Sequence, residues 1–105
     1  MSLSLNAYQD KASSFRLASA DEHYCRENLV GEVGEYFSLR AKNLRDGWKP
    51  DYKARALKEL GDILWQLSQV CKDEGFTLEE VAVANINKLA GRVERDTIQG
   101  SGDFR

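Results

Sequence analysis

Histidine, proline and methionine each occur once in this chain of 105 residues, and cysteine occurs twice. A single His excludes any site that draws two imidazoles from one chain, such as a two-His zinc site or a ferritin-like di-iron centre. Cys25 and Cys71 are too few for a cysteine-rich metal site, and nothing around them reads as a secreted disulfide framework. No apolar run approaches the roughly 20 residues of a membrane span. The first residues carry no signal-peptide core, so the expectation is a soluble, cytoplasmic protein without membrane contact. Positive charge is not in excess: 15 Lys and Arg against 17 Asp and Glu leave a net −2. That is no electrostatic footprint for nucleic acid. It is also a poor balance for a polyphosphate unless bound cations supply the missing charge.

What is present is enough apolar material, 42% of residues, for one small domain spanning 1–105. A core of that size is modest, which makes self-association a route to stability. Apolar residues recur at helical spacing and no segment alternates like a strand, so the class is all-α. Four helices are expected. The first runs from about Ala7 to Phe15, with Asn6 as N-cap. The second starts after Ser19, with Glu22 completing a capping box. It carries the stripe Cys25, Leu29, Val33, Tyr36, Phe37 and Leu44, and ends before Asp46-Gly47. The third follows Asp51 as N-cap, carries Leu57, Leu60, Leu64, Leu67 and Cys71, and stops at Gly75. The fourth starts at Thr77 with Glu80 as a second capping box. Its stripe is Leu78, Val81, Ala82, Ile86, Leu89 and Val93. Residues 97–105 read as a non-helical tail. Helices two and three, similar in length and joined by a short connector, form an antiparallel hairpin about 35 Å long.

The hairpin carries two carboxylate pairs, Glu32 with Glu35 and Glu59 with Asp62. Each pair is spaced i, i+3, which makes its members neighbours on the helix surface, where like charges repel. Four carboxylates near one point are unfavourable without cations and form a hard-oxygen site with Mg²⁺ or Mn²⁺. On composition alone the same pattern also suits a solvated helix face. Gly31, Gly34 and Gly61 lie inside helices, each at a cost of about 1 kcal/mol relative to Ala. Two reasons are open for them: close helix approach that gathers the carboxylates, or relief of crowding in the core.

Glu32-x-x-Glu35 and Glu59-x-x-Asp62, separated by residues 36–58, resemble the metal-binding signature of all-α nucleoside triphosphate pyrophosphohydrolases. More narrowly, the chain is similar to the short MazG-like proteins. Tyr8-Gln9, Gly31-Glu32-Val33-Gly34-Glu35, Leu60-Gly61-Asp62-Ile63-Leu64, Thr77-Leu78-Glu79-Glu80-Val81, Ala84 to Leu89 with Arg92, and the ending Gly100 to Arg105 all carry the likeness, in order along nearly the whole chain. The resemblance implies a four-helix fold in an oligomeric bundle, a dimer at least and plausibly a tetramer, with sites completed by more than one chain. It implies Mg²⁺-dependent hydrolysis of a nucleoside triphosphate to the monophosphate and pyrophosphate, with Glu32, Glu35, Glu59 and Asp62 as metal ligands. Glu32 or Glu35 is the general base.

Asn85, Lys88 and Arg92 share one face of the fourth helix, where the two cations suit phosphate or form a plain basic surface. Asp103 and Arg105 belong to a glycine-containing tail that either lets backbone N–H groups approach a phosphate or is disordered. Phe104 stands where the family commonly has Asn. Trp65, one turn beyond Asp62, either stacks on a base or joins the core. Lys42 stands where relatives specialised for cytosine nucleotides carry Trp. His23 reads as a surface residue of the first turn, and both cysteines as buried thiols. Within the superfamily, a phosphoribosyl-ATP or dUTP specialist is the alternative. From another class, a non-catalytic helical binding module is the competitor, against which the intact carboxylates count.

Overall fold

A computed structural model describes residues 2–94, and among these it contains four α-helices and no strand. They are α1 (Leu5–Ser13), α2 (Glu22–Asp46), α3 (Tyr52–Asp73) and α4 (Leu78–Glu94). The expected tail at 97–105, with Asp103 and Arg105, lies outside the described residues. Among the described residues no helix is long and apolar enough to cross a membrane.

The α2–α3 hairpin is the scaffold. Its turn is fixed by Gly47, at φ 96°, a conformation that only glycine adopts without strain. Asn43 locks the turn from inside. Its amide donates to the Leu39 carbonyl at 2.9 Å and its side-chain oxygen accepts from the Lys49 N–H at 2.8 Å. Around the turn, the Trp48 and Tyr52 rings meet edge to face and the Arg40 guanidinium lies over Trp48. At the other end, α3 stops at Gly75, φ 89°, as the sequence predicts.

Two helix starts differ from expectation. Ser4, not Asn6, caps α1 by accepting from the Ala7 N–H. Asn6 instead reaches α4: its side-chain oxygen accepts from the Glu79 N–H at 3.1 Å, satisfying a donor of that helix's first turn. The cap of α2 is Asp21, whose carboxylate accepts from the Tyr24 N–H, so the Ser19–Glu22 box does not form. The second predicted box does form. The Thr77 hydroxyl accepts from the Glu80 N–H, and the Glu80 carboxylate accepts from the Thr77 N–H.

The interior is small and unusually polar. Ala12, Cys25, Ala56, Cys71 and Leu78 are its buried apolar residues, and Gln9, Asn43, Gln66, Ser68 and Gln69 are buried beside them. Buried amides must be hydrogen-bonded to be tolerated. Gln9 is: it donates to the Ser68 and Phe76 carbonyls and accepts from the Leu78 N–H, tying α1 to α3 and α4. Gln69 is also held, donating to Ser13 Oγ and Ser68 Oγ and accepting from Arg16. Arg16 clamps Asp73 with two parallel bonds of 2.9 and 3.0 Å, which pins the α1–α2 connection to the end of α3. Cys25 and Cys71 are buried free thiols, and burial pushes both upward in pKa.

Much of the predicted apolar pattern faces outward. Leu57, Leu60, Leu64 and Leu67 of α3 are 73, 48, 38 and 38% exposed in the single chain. Phe37 and Leu44 of α2 and Ile86 and Val93 of α4 are also exposed. The spacing 57, 60, 64, 67 is that of a helix–helix seam.

Candidate metal centre

The hairpin brings carboxylates from both of its arms together. One oxygen each from Glu32, Glu59 and Asp62 lie within 4.8 Å of one another. Glu32 and Glu59 are half-buried and Asp62 is exposed. The i, i+3 spacing puts Glu59 and Asp62 on one face of α3, and the antiparallel pairing sets Glu32 of α2 against them. Glu35 is exposed and stands outside the three-oxygen set, yet close enough for its charge to act on Glu32.

Burial and like charge set the electrostatics of the cluster. Burial pushes the Glu32 carboxyl above its usual range, and the charges of Asp62, Glu59 and Glu35, in that order, push the same way. A hydrogen bond from Asn28 opposes them. The Tyr8 phenol is likewise raised, first by burial and then by the charge of Asp62, which places α1 beside the centre. Three oxygen donors at this separation, with no nitrogen or sulfur among them, fit a hard divalent cation. Asn28 and Tyr8 are contributors that the carboxylate motif alone does not announce. Asn28 is one turn before Glu32, an i, i+4 signal that was available.

Glu32 also walls a cavity of about 230 Å³ between the α1–α2 connection, α2 and α3. Trp65 lines the same cavity and is half-buried, its indole N–H donating to the Ala12 carbonyl at 3.0 Å. It is thus both an anchor for α1 and a wall of the cavity. Asn85 and Lys88 line a different, larger and mainly apolar cavity between α3 and α4, and Arg92 is half-buried further along α4. Among the described elements α2 and α4 do not pack on each other. The structure therefore does not gather the acidic centre and the predicted basic face in one cavity of one chain. His23 sits exposed in the first turn of α2 as expected.

The interior glycines behave differently from either expectation. A Cβ at Gly34 or Gly61 would meet nothing within 4 Å, and at Gly31 it would make only ordinary contact with Asn28 at 3.5 Å. Among the described residues no other helix fills the space they leave.

The class is that of an all-α helical hairpin with an acidic cluster of Glu32, Glu59 and Asp62 across its two arms. Residues 21–95 match the family described as MazG nucleotide pyrophosphohydrolase domain, and the chain belongs to that family. It is also 38% identical over 85 residues to a protein of Mycobacterium phage L5 described as Gene 37 protein. That alignment covers 78% of this chain and 75% of the phage protein. No solved structure matches the chain.

Proposed function

We propose that this protein hydrolyses nucleoside triphosphates, deoxynucleotides or modified nucleotides among them, to the monophosphate and pyrophosphate, using Mg²⁺ or Mn²⁺. A cytoplasmic house-cleaning role in the nucleotide pool follows by family analogy. The observation that carries the reading is the convergence of Glu32, Glu59 and Asp62 within 4.8 Å on the hairpin that matches the family.

Glu32, Glu59 and Asp62 would hold the cation. When bound it supplies charge neutralisation for the phosphates and a more acidic water. The role of proton acceptor goes to Glu35, which stands beside the trio rather than in it and is exposed to solvent. Lys88 and Arg92, with Asn85, would balance the phosphate charge. They line other parts of the chain than the acidic centre, which supports completion of each site by a second copy. The exposed leucine seam of α3 supports the same homo-oligomer, a dimer at least and a tetramer by resemblance. Asp103 and Arg105 are assigned to the phosphates on the resemblance alone.

The test is incubation with each ribo- and deoxynucleoside triphosphate and Mg²⁺, with identification of products. Monophosphate and pyrophosphate are expected. Orthophosphate would mean that a different bond is cut. Absence of both turnover and metal binding would leave a helical binding module.

A further inference from the structure

Of the three carboxylates whose oxygens lie within 4.8 Å of one another, two share α3 and one, Glu32, comes from α2. Glu59 and Asp62 stand one turn apart on a single helix, and that helix fixes their spacing. Glu32 is joined to them only through the packing of α2 on α3. Its side chain is long and loses much rotamer freedom when it is held in one place. The charges of Asp62, Glu59 and Glu35 all act against its own. Repulsion alone favours rotamers that turn its carboxylate away from the α3 pair, yet the structure sets it against that pair.

Asn28 supplies a restraint. It precedes Glu32 by one turn of α2, the i, i+4 spacing at which helix side chains meet. Both residues are half-buried and stand on the wall of the same cavity. The Asn28 side-chain oxygen lies over Gly31, 3.5 Å from where a Cβ would stand, and the amide hydrogen-bonds the Glu32 carboxylate. An ionised carboxylate only accepts, so the Asn28 NH₂ group is the donor. One such bond leaves most of the lone pairs of Glu32 available to a cation.

We propose that Asn28 is a positioning residue, which holds Glu32 aimed at Glu59 and Asp62 and thereby favours Mg²⁺ over Ca²⁺ at the centre. The two ions ask different things of their ligands. Mg²⁺ demands near-ideal octahedral geometry at about 2.0–2.1 Å, whereas Ca²⁺ accepts a flexible set of oxygens at about 2.3–2.6 Å. A carboxylate free to swing therefore costs the smaller ion more. Groups that orient a metal ligand from behind carry about ten- to hundred-fold in affinity. The inference rests on the metal reading above and does not need the reaction to occur.

The test is calorimetric titration of the full chain with Mg²⁺ and, separately, with Ca²⁺. The proteins compared are wild type, Asn28→Leu, Asn28→Ala and Asn28→Gln, each checked for helical circular dichroism. Leu is close to Asn in shape and lacks the donor, Ala guards against a Leu that does not fit, and Gln keeps the amide. Both donorless variants should lose at least about ten-fold in Mg²⁺ affinity and clearly less in Ca²⁺ affinity. Asn28→Gln should restore most of the ratio between the two ions. A mere loss of overall stability would weaken both ions by one factor and leave the ratio alone. An unchanged ratio in Asn28→Leu and Asn28→Ala, or no recovery in Asn28→Gln, overturns the positioning role and leaves the metal centre standing. A wild-type protein that binds neither ion overturns the metal reading, and this inference with it.

Discussion

Replacing Glu32 by Gln should make the metal-free protein more stable and the metal-loaded protein less so. Glu32 has two carboxylate oxygens within 4.8 Å and a third carboxylate acting on it from Glu35. At that separation two like charges repel by about 1 kcal/mol in a water-like medium and by more where water is partly excluded. Asp62 is exposed, so the lower figure applies, and salt screens it further. Removal of the Glu32 charge should therefore stabilise the apo chain by about 1–2 kcal/mol, or several degrees in Tm for a domain of this size. The pH dependence follows the same sign. The folded-state pKa of Glu32 is raised, so the native state binds more protons than the unfolded chain between the ordinary carboxylate value and the raised one. Apo stability accordingly falls as pH rises through that window and recovers on acidification. Glu32→Gln should flatten this dependence. Divalent cation reverses the balance, since a ligand bound only to the native state stabilises it in proportion to the logarithm of its concentration over Kd. Thermal unfolding with and without Mg²⁺, at several pH values, reads both effects. A Glu32→Gln protein less stable than wild type without metal, or one that keeps the full Mg²⁺-induced rise in Tm, would refute the reasoning.

Three further outcomes are expected. Gln9→Leu should cost about 3 kcal/mol, because it strands the Phe76 carbonyl and the Leu78 N–H and removes the tie to the Ser68 carbonyl; denaturant unfolding checks this, and a loss under 1 kcal/mol would contradict it. Leu57→Asp, on the exposed seam of α3, should lower the mass seen by sedimentation equilibrium while helical circular dichroism is retained; an unchanged mass would remove α3 from the interface. Gly34→Ala and Gly61→Ala meet open space in the single chain and should each stabilise their helix by up to about 1 kcal/mol. A clear loss of stability in either variant would mean that a neighbouring copy occupies that space.

The hairpin and its carboxylates were legible because both depend on local rules. The Asp46-Gly47 stop, the Gly75 terminator and the Thr77–Glu80 box are short-range chemistry, and i, i+3 spacing fixes which acids share a helix face. The misplaced starts of α1 and α2 fail for a tertiary and a local reason. Asn6 looks like a cap, but α4 recruits it across 73 positions of sequence. Ser19 looks like a cap, but Asp21 stands nearer the first turn and wins it. The separation of Glu35 from the other three carboxylates depends on how α2 is rotated against α3, which spacing within one helix does not determine. Gln9, Gln66 and Gln69 were invisible for another reason: glutamine reads as surface, and only the packing of α1 and its connection over α3 buries these amides. The leucine stripe of α3 was found in the sequence, but not the side of the molecule that it faces.

The most direct test of the central claim follows the oxygen of the attacking water. With Mg²⁺ and a nucleoside triphosphate in ¹⁸O-labelled water, this account predicts label in the nucleoside monophosphate and none in pyrophosphate, with turnover abolished in Asp62→Asn at unchanged helicity. Label in pyrophosphate or orthophosphate, or full turnover by Asp62→Asn, would contradict it.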